Sequence, residues 1–197
     1  IGRFQLGRRD DRAVCLVKSI KGYSSLTRMI TRRHREKTFC LKTDLPENST
    51  GLVVMTRSPE LLKPWDNQGV DLAVNLTRHP LSRHHPVCQA AAKRGIPLVA
   101  TPGSFFLNPE DLKHHHMLRA IDNNTCLSRL SPSDKAPDSA FLASPDTYST
   151  RFSTLPSAIE NSRMLAEKLN FTSPDFGTVM PPMPGDYGMQ HHRSAAA

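Results

Sequence analysis

The chain has no run of about 18 uninterrupted apolar residues, the length a membrane helix needs, and that excludes a transmembrane span. It lacks a basic-then-apolar leader with a small-residue cleavage site, so no secretory signal is expected. Cysteine is scarce. Cys15, Cys40, Cys88 and Cys126 stand apart with no Cys-x-x-Cys pair, which argues against zinc and against a disulfide scaffold. Free thiols in a reducing cytoplasm are the expected state. Aromatic residues make up 6% of the chain and do not interleave with its basic residues, so nothing offers a base-stacking platform. No Gly-x-Ser-x-Gly elbow and no Gly-x-Gly-x-x-Gly loop is present, and Gly103 in Thr-Pro-Gly-Ser is a lone turn glycine. The residues alone therefore show no enzyme.

What is present is proline and positive charge. Sixteen prolines and 38% hydrophobic residues in 197 positions suggest one domain with long polar loops. A chain of this size can bury roughly 70% of its unfolded surface. Lysine plus arginine is 26 against 18 acids, a net charge of +8. The charge is concentrated early: Arg3, Arg8, Arg9 and Arg12, then Lys18 and Lys21, then Arg28, Arg32, Arg33, Arg35 and Lys37. Such a face can meet nucleic-acid phosphates by counterion release, and can equally be a solvated helix surface. The first residue is Ile1 rather than Met, so a fragment or a processed product is expected.

Hydrophobic periodicity predicts alternating strands and helices. Residues 13–18 (AVCLVK), 51–56 (GLVVMT), 70–76 (VDLAVNL) and 96–101 (IPLVAT) read as strands. A turn is expected at 22–24, then a helix over 24–35 with Leu26, Met29 and Ile30 inward and the arginines outward. Ser58-Pro59 starts a helix, a further helix over 86–94 stops at Gly95, and Asn108-Pro109-Glu110-Asp111 starts one that runs to Asp122. That last helix places Leu112, His115, Leu118 and Ile121 at inward spacing. Residues 128–141 read as a loop, Ser144 opens a short helix, and Ser157 with Glu160 forms a capping box for a helix to about residue 169. The pattern argues an α/β layer with helices appended behind it.

Nine histidines invite a search for a metal. His84-His85 and His114-His115-His116 are adjacent pairs and triples, and neighbours on a helix face different ways, whereas metal-binding helices use i, i+4 spacing. His191-His192 lies in the polar tail, and no Asp-x-His pair exists. Surface or packing roles are expected for these histidines.

Residues 95–121, GIPLVATPGSFFLNPEDLKHHHMLRAI, resemble a segment of bacterial DNA polymerase III alpha subunits, the C-family replicative polymerases. In their polymerase-and-histidinol-phosphatase (PHP) domain a strand ends in P-[LV]-V-A-T-N-D-V-H-[FY]-L, followed by P-E-D and a helix. CLVKSIKGYSSLTRMIT and GLVVMTRSPELL resemble two upstream motifs of that family. FLASPDTYSTRFSTLPSAIENSRMLAEKLNF resembles its downstream helices, and DFGTVMPP the segment before the polymerase palm. The resemblance covers residues 14–182 in the family's order and looks closest to the error-prone, lesion-bypass branch.

The resemblance implies a partial PHP-type (βα) barrel with appended C-terminal helices, seven-stranded when complete and here with about four strands. The implied organisation is a disordered end at 1–12, a PHP-like α/β domain at 13–125, a helical connection toward the polymerase core at 126–182 and a tail at 183–197. In metal-bearing members the Asp and His of N-D-V-H are ligands, but the aligned positions are Gly103 and Phe105, which offer no side-chain donor. His79 aligns with the histidine of the family's E-L-x-x-H and is a weak residual candidate. The family's His-x-His and Asp-His-Gly motifs would precede Ile1, and the three palm carboxylates with their Mg2+ would follow Ala197. The expected function is a metal-free structural part of an error-prone polymerase, without a cofactor or catalytic residue of its own. DNA contacts are expected at Arg28, Arg32, Arg33 and Arg35. The implied partners are DNA, the remainder of the alpha subunit, the sliding clamp and lesion-bypass accessory proteins. A stand-alone PHP phosphoesterase, a basic nucleic-acid-binding module and a degenerate fragment are the alternatives. An incomplete barrel is also expected to leave open, aggregation-prone sheet edges.

Overall fold

The computed structural model describes residues 3–5, 12–174 and Gly177. Arg8, Arg9, His191, His192, the 175–182 motif apart from Gly177, and the tail at 183–197 lie outside the described residues. The fold is mixed α/β. Strands β1 (Arg3–Gln5), β2 (Arg12–Val17), β3 (Leu52–Thr56), β4 (Leu72–Thr77) and β5 (Leu98–Thr101) form one sheet in the order β1-β2-β3-β4-β5. β1, β2 and β3 pair antiparallel, while β3, β4 and β5 run parallel. Helices α1 (Ile20–Arg35), α2 (Leu41–Glu47), α3 (Pro59–Asp66) and α4 (Pro86–Ala92) connect the strands from β2 to β5. Helices α5 (Leu112–Asp122), α6 (Pro145–Arg151) and α7 (Pro156–Lys168) follow the sheet.

Strand periodicity sorts side chains onto two faces. On one, Ala13, Cys15, Leu52, Val54, Leu72, Val74 and Leu76 are buried in the main core with residues of α1 to α4. Trp65 of α3 is fully buried there, and its indole N–H donates to Lys42 O at 3.0 Å. Phe152, just after α6, and Ala158 of α7 enter the same core. The other face is thinner: Met55, Ala73 and Val99 cluster under Leu165 of α7.

Two expectations about the first third need correction. The turn expected at 22–24 lies inside α1, which starts at Ile20 with Ser19 as its N-cap. Gly22 is needed for close packing rather than for a turn. A Cβ on it would sit 2.0 Å from Gly51 O, and Gly51 itself holds φ +76. The disordered end expected at 1–12 gives way at residues 3–5 and 12, which pair in β1 and β2. Backbone pairing of so short an edge strand leaves no periodic signal to read. α2 was not anticipated, being seven residues long with Pro46 inside it. The expected inward face of α1 is observed: Leu26 and Met29 are buried and Ile30 packs on the core.

Later elements differ in their ends. α5 exposes Leu118 (65%) and Ile121 (69%), and only Ala120 is buried. The helix packs on the short 3-10 turns beside it rather than on the sheet, so its apolar spacing does not face a core. The capping box expected at Ser157 does not form. Leu155 is the N-cap, and Glu160 pairs with Arg163. Ser144 does cap α6, accepting from Thr147 N. Residues 128–141 contain the turn Pro132–Asp134, and Phe141 bridges to Phe106.

The expected open edge at β5 is covered. Leu98 and Ala100 point their carbonyls away from β4, because Pro97 O and Thr101 O serve that side. α7 lies along this edge. Asn161 Nδ2 donates to Leu98 O at 2.8 Å, and Ser162 Oγ lies 2.7 Å from Ala100 O. Replacing Asn161 by Ala leaves the Leu98 carbonyl without its partner and is expected to cost about 1–3 kcal/mol. Urea unfolding should show Asn161→Ala lowering stability, and the double variant with Ser162→Ala lowering it further.

Candidate functional site

In open α/β sheets, ligands bind beyond the carboxyl ends of parallel strands. Here those ends are Thr56, Thr77 and Thr101. The hydroxyls of Thr77 and Thr101 lie 3.3 Å apart, and Asn75 Nδ2 donates to Thr77 Oγ1. The connecting segments are residues 57–58, 78–85 and 102–108. They contain Arg57, Arg78, Arg83, His79, His84 and His85, and neither Asp nor Glu.

Gly103 lies in the last of these segments with φ +57. Its carbonyl accepts from Arg78 Nη1 at 3.1 Å. Arg78 is itself left-handed, with φ 68. A Cβ at Gly103 would stand 2.1 Å from Thr77 Cγ2 and 3.2 Å from Arg78 Nη1. Glycine is therefore required by backbone and by space. Phe105 is exposed, and its ring meets His115 edge-on at 5.5 Å between centroids. His79 is exposed in the segment after β4, its N–H bound to Thr77 O. Gly103 and Phe105 carry no donor side chain, and among the described residues no three His, Cys, Asp or Glu side chains converge as a metal would need. These residues do not fit a metal cluster.

Nucleophiles are equally unpromising. Cys15 is buried, and burial pushes its thiol up to about 12. Burial also raises the Cys88 thiol. Cys40 is exposed and its thiol is lowered, chiefly by the backbone N–H of Lys42, but no base stands beside it among the described partners.

The basic face on α1 is more differentiated than the sequence suggests. Arg32 pairs with Glu36 at 3.1 Å and with Asp44 of α2 at 3.0 Å, so it ties two helices together. Lys21, Arg28 and Arg35 recur every seven residues and are exposed. Lys21 and Arg28 line a shallow groove with Ser24, Ser25 and Thr50. Of the four arginines expected to touch DNA, Arg28 and Arg35 therefore remain presented to solvent, Arg33 is half-buried, and Arg32 is engaged. Arg57, Arg78 and Arg151 were not singled out from the sequence. The acid-free segments after the predicted strands were a legible signal for the first two.

No protein-family model matches the chain. It is similar to the DNA polymerase III subunit alpha of Pseudomonas fluorescens, at 26% identity over 182 residues, taking in 79% of this chain and 16% of that protein. It is 35% identical over 81 residues to the same subunit of Neisseria meningitidis, across 41% of this chain and 7% of that one. With the Buchnera aphidicola subunit it shares 30% over 86 residues, across 44% of this chain and 7% of that protein. The chain is thus related to DNA polymerase III alpha subunits and spans 7–16% of the length of these curated relatives. No helix among the described residues is long and apolar enough to cross a membrane.

Gly103→Ala is expected to lose about 1–2 kcal/mol from the left-handed backbone alone, and more from the contact with Thr77. Adding Thr77→Ser, which removes the offending methyl, should recover part of the loss in thermal unfolding.

Proposed function

We propose that the chain is a piece of an error-prone DNA polymerase III alpha subunit, forming a metal-free part of its PHP-type domain and the start of the connection to the polymerase core. The observation that carries this reading is the 26% identity running through 79% of the chain. Gly103 and Phe105, where the family resemblance would place ligands, carry no donor side chain, which favours the structural reading over the phosphoesterase one. The role is then structural. The sheet and its helices pack against the rest of the subunit, while catalysis with Mg2+ belongs to palm carboxylates elsewhere in the complete protein. The partners are DNA, the remainder of the subunit, the sliding clamp and lesion-bypass accessory proteins, in the cytoplasm.

The exposed row Lys21, Arg28 and Arg35 is the DNA-facing surface in this reading. It rises about 1.5 Å per residue along the helix, a length comparable to several phosphate spacings. Because Arg32 holds α1 to α2, its role is to keep that row in place.

An antibody against the chain should detect in cells a polypeptide well above 21.9 kDa. A single band at that mass, in fractions devoid of polymerase activity, would sink the proposal. For the DNA-facing row, Arg28→Glu with Arg35→Glu should weaken duplex binding at low salt. Removing two phosphate contacts should also flatten the slope of log K against log salt by about 1.8. Arg32→Gln should instead lower the melting temperature. An unchanged slope in the double variant would remove α1 from the DNA surface.

A further inference from the structure

We propose that the exposed apolar face built by α5 and the segments beside it pairs with the same face of a second copy of this chain, forming a twofold dimer. Nine large hydrophobic side chains are exposed among the described residues, and seven of them fall between Phe105 and Leu142. The sheet does not cover this stretch. α5 packs on the 3-10 turns at its two ends, Pro109–Asp111 and Leu127–Arg129, rather than on a strand.

Short contacts join the pieces of the face. On α5, His114, Met117, Leu118 and Ile121 follow the i, i+3, i+4, i+7 spacing that sets side chains on one side of a helix. All four are at least half exposed. The next residue round the helix is His115, whose ring meets that of Phe105 at 5.5 Å between centroids. Phe105 and Leu107 alternate with half-buried Phe106 in the segment before α5, and both are exposed. Leu142 N donates to Leu107 O at 3.2 Å, which sets a further exposed leucine beside them.

The area suits an interface. A soluble monomer rarely leaves an apolar patch above a few hundred Å² in water. The seven side chains are 46–69% exposed, which leaves roughly 700 Å² of apolar surface at about 200 Å² for a large side chain. A stable dimer buries about 800 Å² from each partner, so this face with a narrow polar rim has the size needed.

Charge selects the occupant. The whole chain is +8, yet residues 105–142 hold four basic and five acidic side chains, a net charge of −1. Two copies therefore meet with least repulsion through this face. The same balance disfavours nucleic acid or an anionic membrane, either of which needs positive charge around the apolar residues. Arg119, the basic residue within α5 nearest Leu118, is already neutralised by Asp122 and Asp134. A twofold axis sets the patch against itself, so pairing closes at two copies. The inference goes beyond the polymerase reading and does not depend on it.

The test is sedimentation equilibrium of the full chain at about 50 µM, where micromolar or tighter pairing is populated. The parent chain should show twice the 21.9 kDa of one copy. Leu118→Lys with Ile121→Lys puts two like charges on the face and should return the mass of a single copy, with the circular dichroism spectrum unchanged. Leu107→Lys, on the neighbouring segment, should weaken pairing by about tenfold or more, and it decides the matter if the α5 double variant fails to fold. Met164→Lys, at an exposed apolar position of α7, should leave the dimer intact. The proposal is overturned if the parent chain is a single copy at that concentration, which gives the face to another occupant. It is also overturned if the mass keeps rising past two copies, if the folded face variants pair like the parent, or if Met164→Lys dissociates the dimer equally.

Discussion

The architecture depends on how the outer edge of β5 is closed. A parallel strand at the end of a sheet presents alternate carbonyls and amides that need partners. Here two consecutive residues of α7, Asn161 and Ser162, meet two alternate carbonyls of β5, those of Leu98 and Ala100. Ser162 Oγ also lies 2.9 Å from Ala158 O of its own helix, so one hydroxyl proton chooses between helix and sheet. This contact spans more than sixty positions of sequence and brings α7 into the same body as the strands. It also delivers Leu165 to the thin face of the sheet, over Met55, Ala73 and Val99.

Two glycine contacts fix the sheet's opposite ends. At the amino end of β3, Gly22 and Gly51 let α1 lie against the strand entrance with backbone touching backbone. The Gly51 carbonyl also accepts from Lys18 N at 2.9 Å, so the antiparallel β2 and its following helix are tied to one point. At the carboxyl end, Gly103 folds back under Arg78. There the carbonyl of Gly103, not a side chain, makes the contact.

Metal-assisted hydrolysis needs converging donors and a base, while phosphate recognition needs convergent positive charge. Among the described residues no such donor set converges, while exposed positive charge runs along α1. The exposed apolar residues of α5, Leu118 and Ile121, show in contrast that helical spacing alone does not make a core face.

The sequence by itself determined the alternation of strands and helices, the inward face of α1 and the proline-led helix starts. These rest on local periodicity and backbone preference, which act within a few residues. It also determined the acid-free composition of the segments after β3, β4 and β5, and the lack of donors at Gly103 and Phe105. Only the tertiary structure decided the rest. It chose which arginines meet an acid, Arg32 by Asp44 twelve positions away, and which meet other groups among the described residues, Arg78 the Gly103 carbonyl and Arg151 the Phe141 ring. It turned Gly22 from a turn residue into a packing contact and Ser162 from a helix-surface residue into the lock on β5. The physical reason is the same in each case: a charge, a missing Cβ or a hydroxyl acquires its role from the group that faces it, and distant segments supply that group.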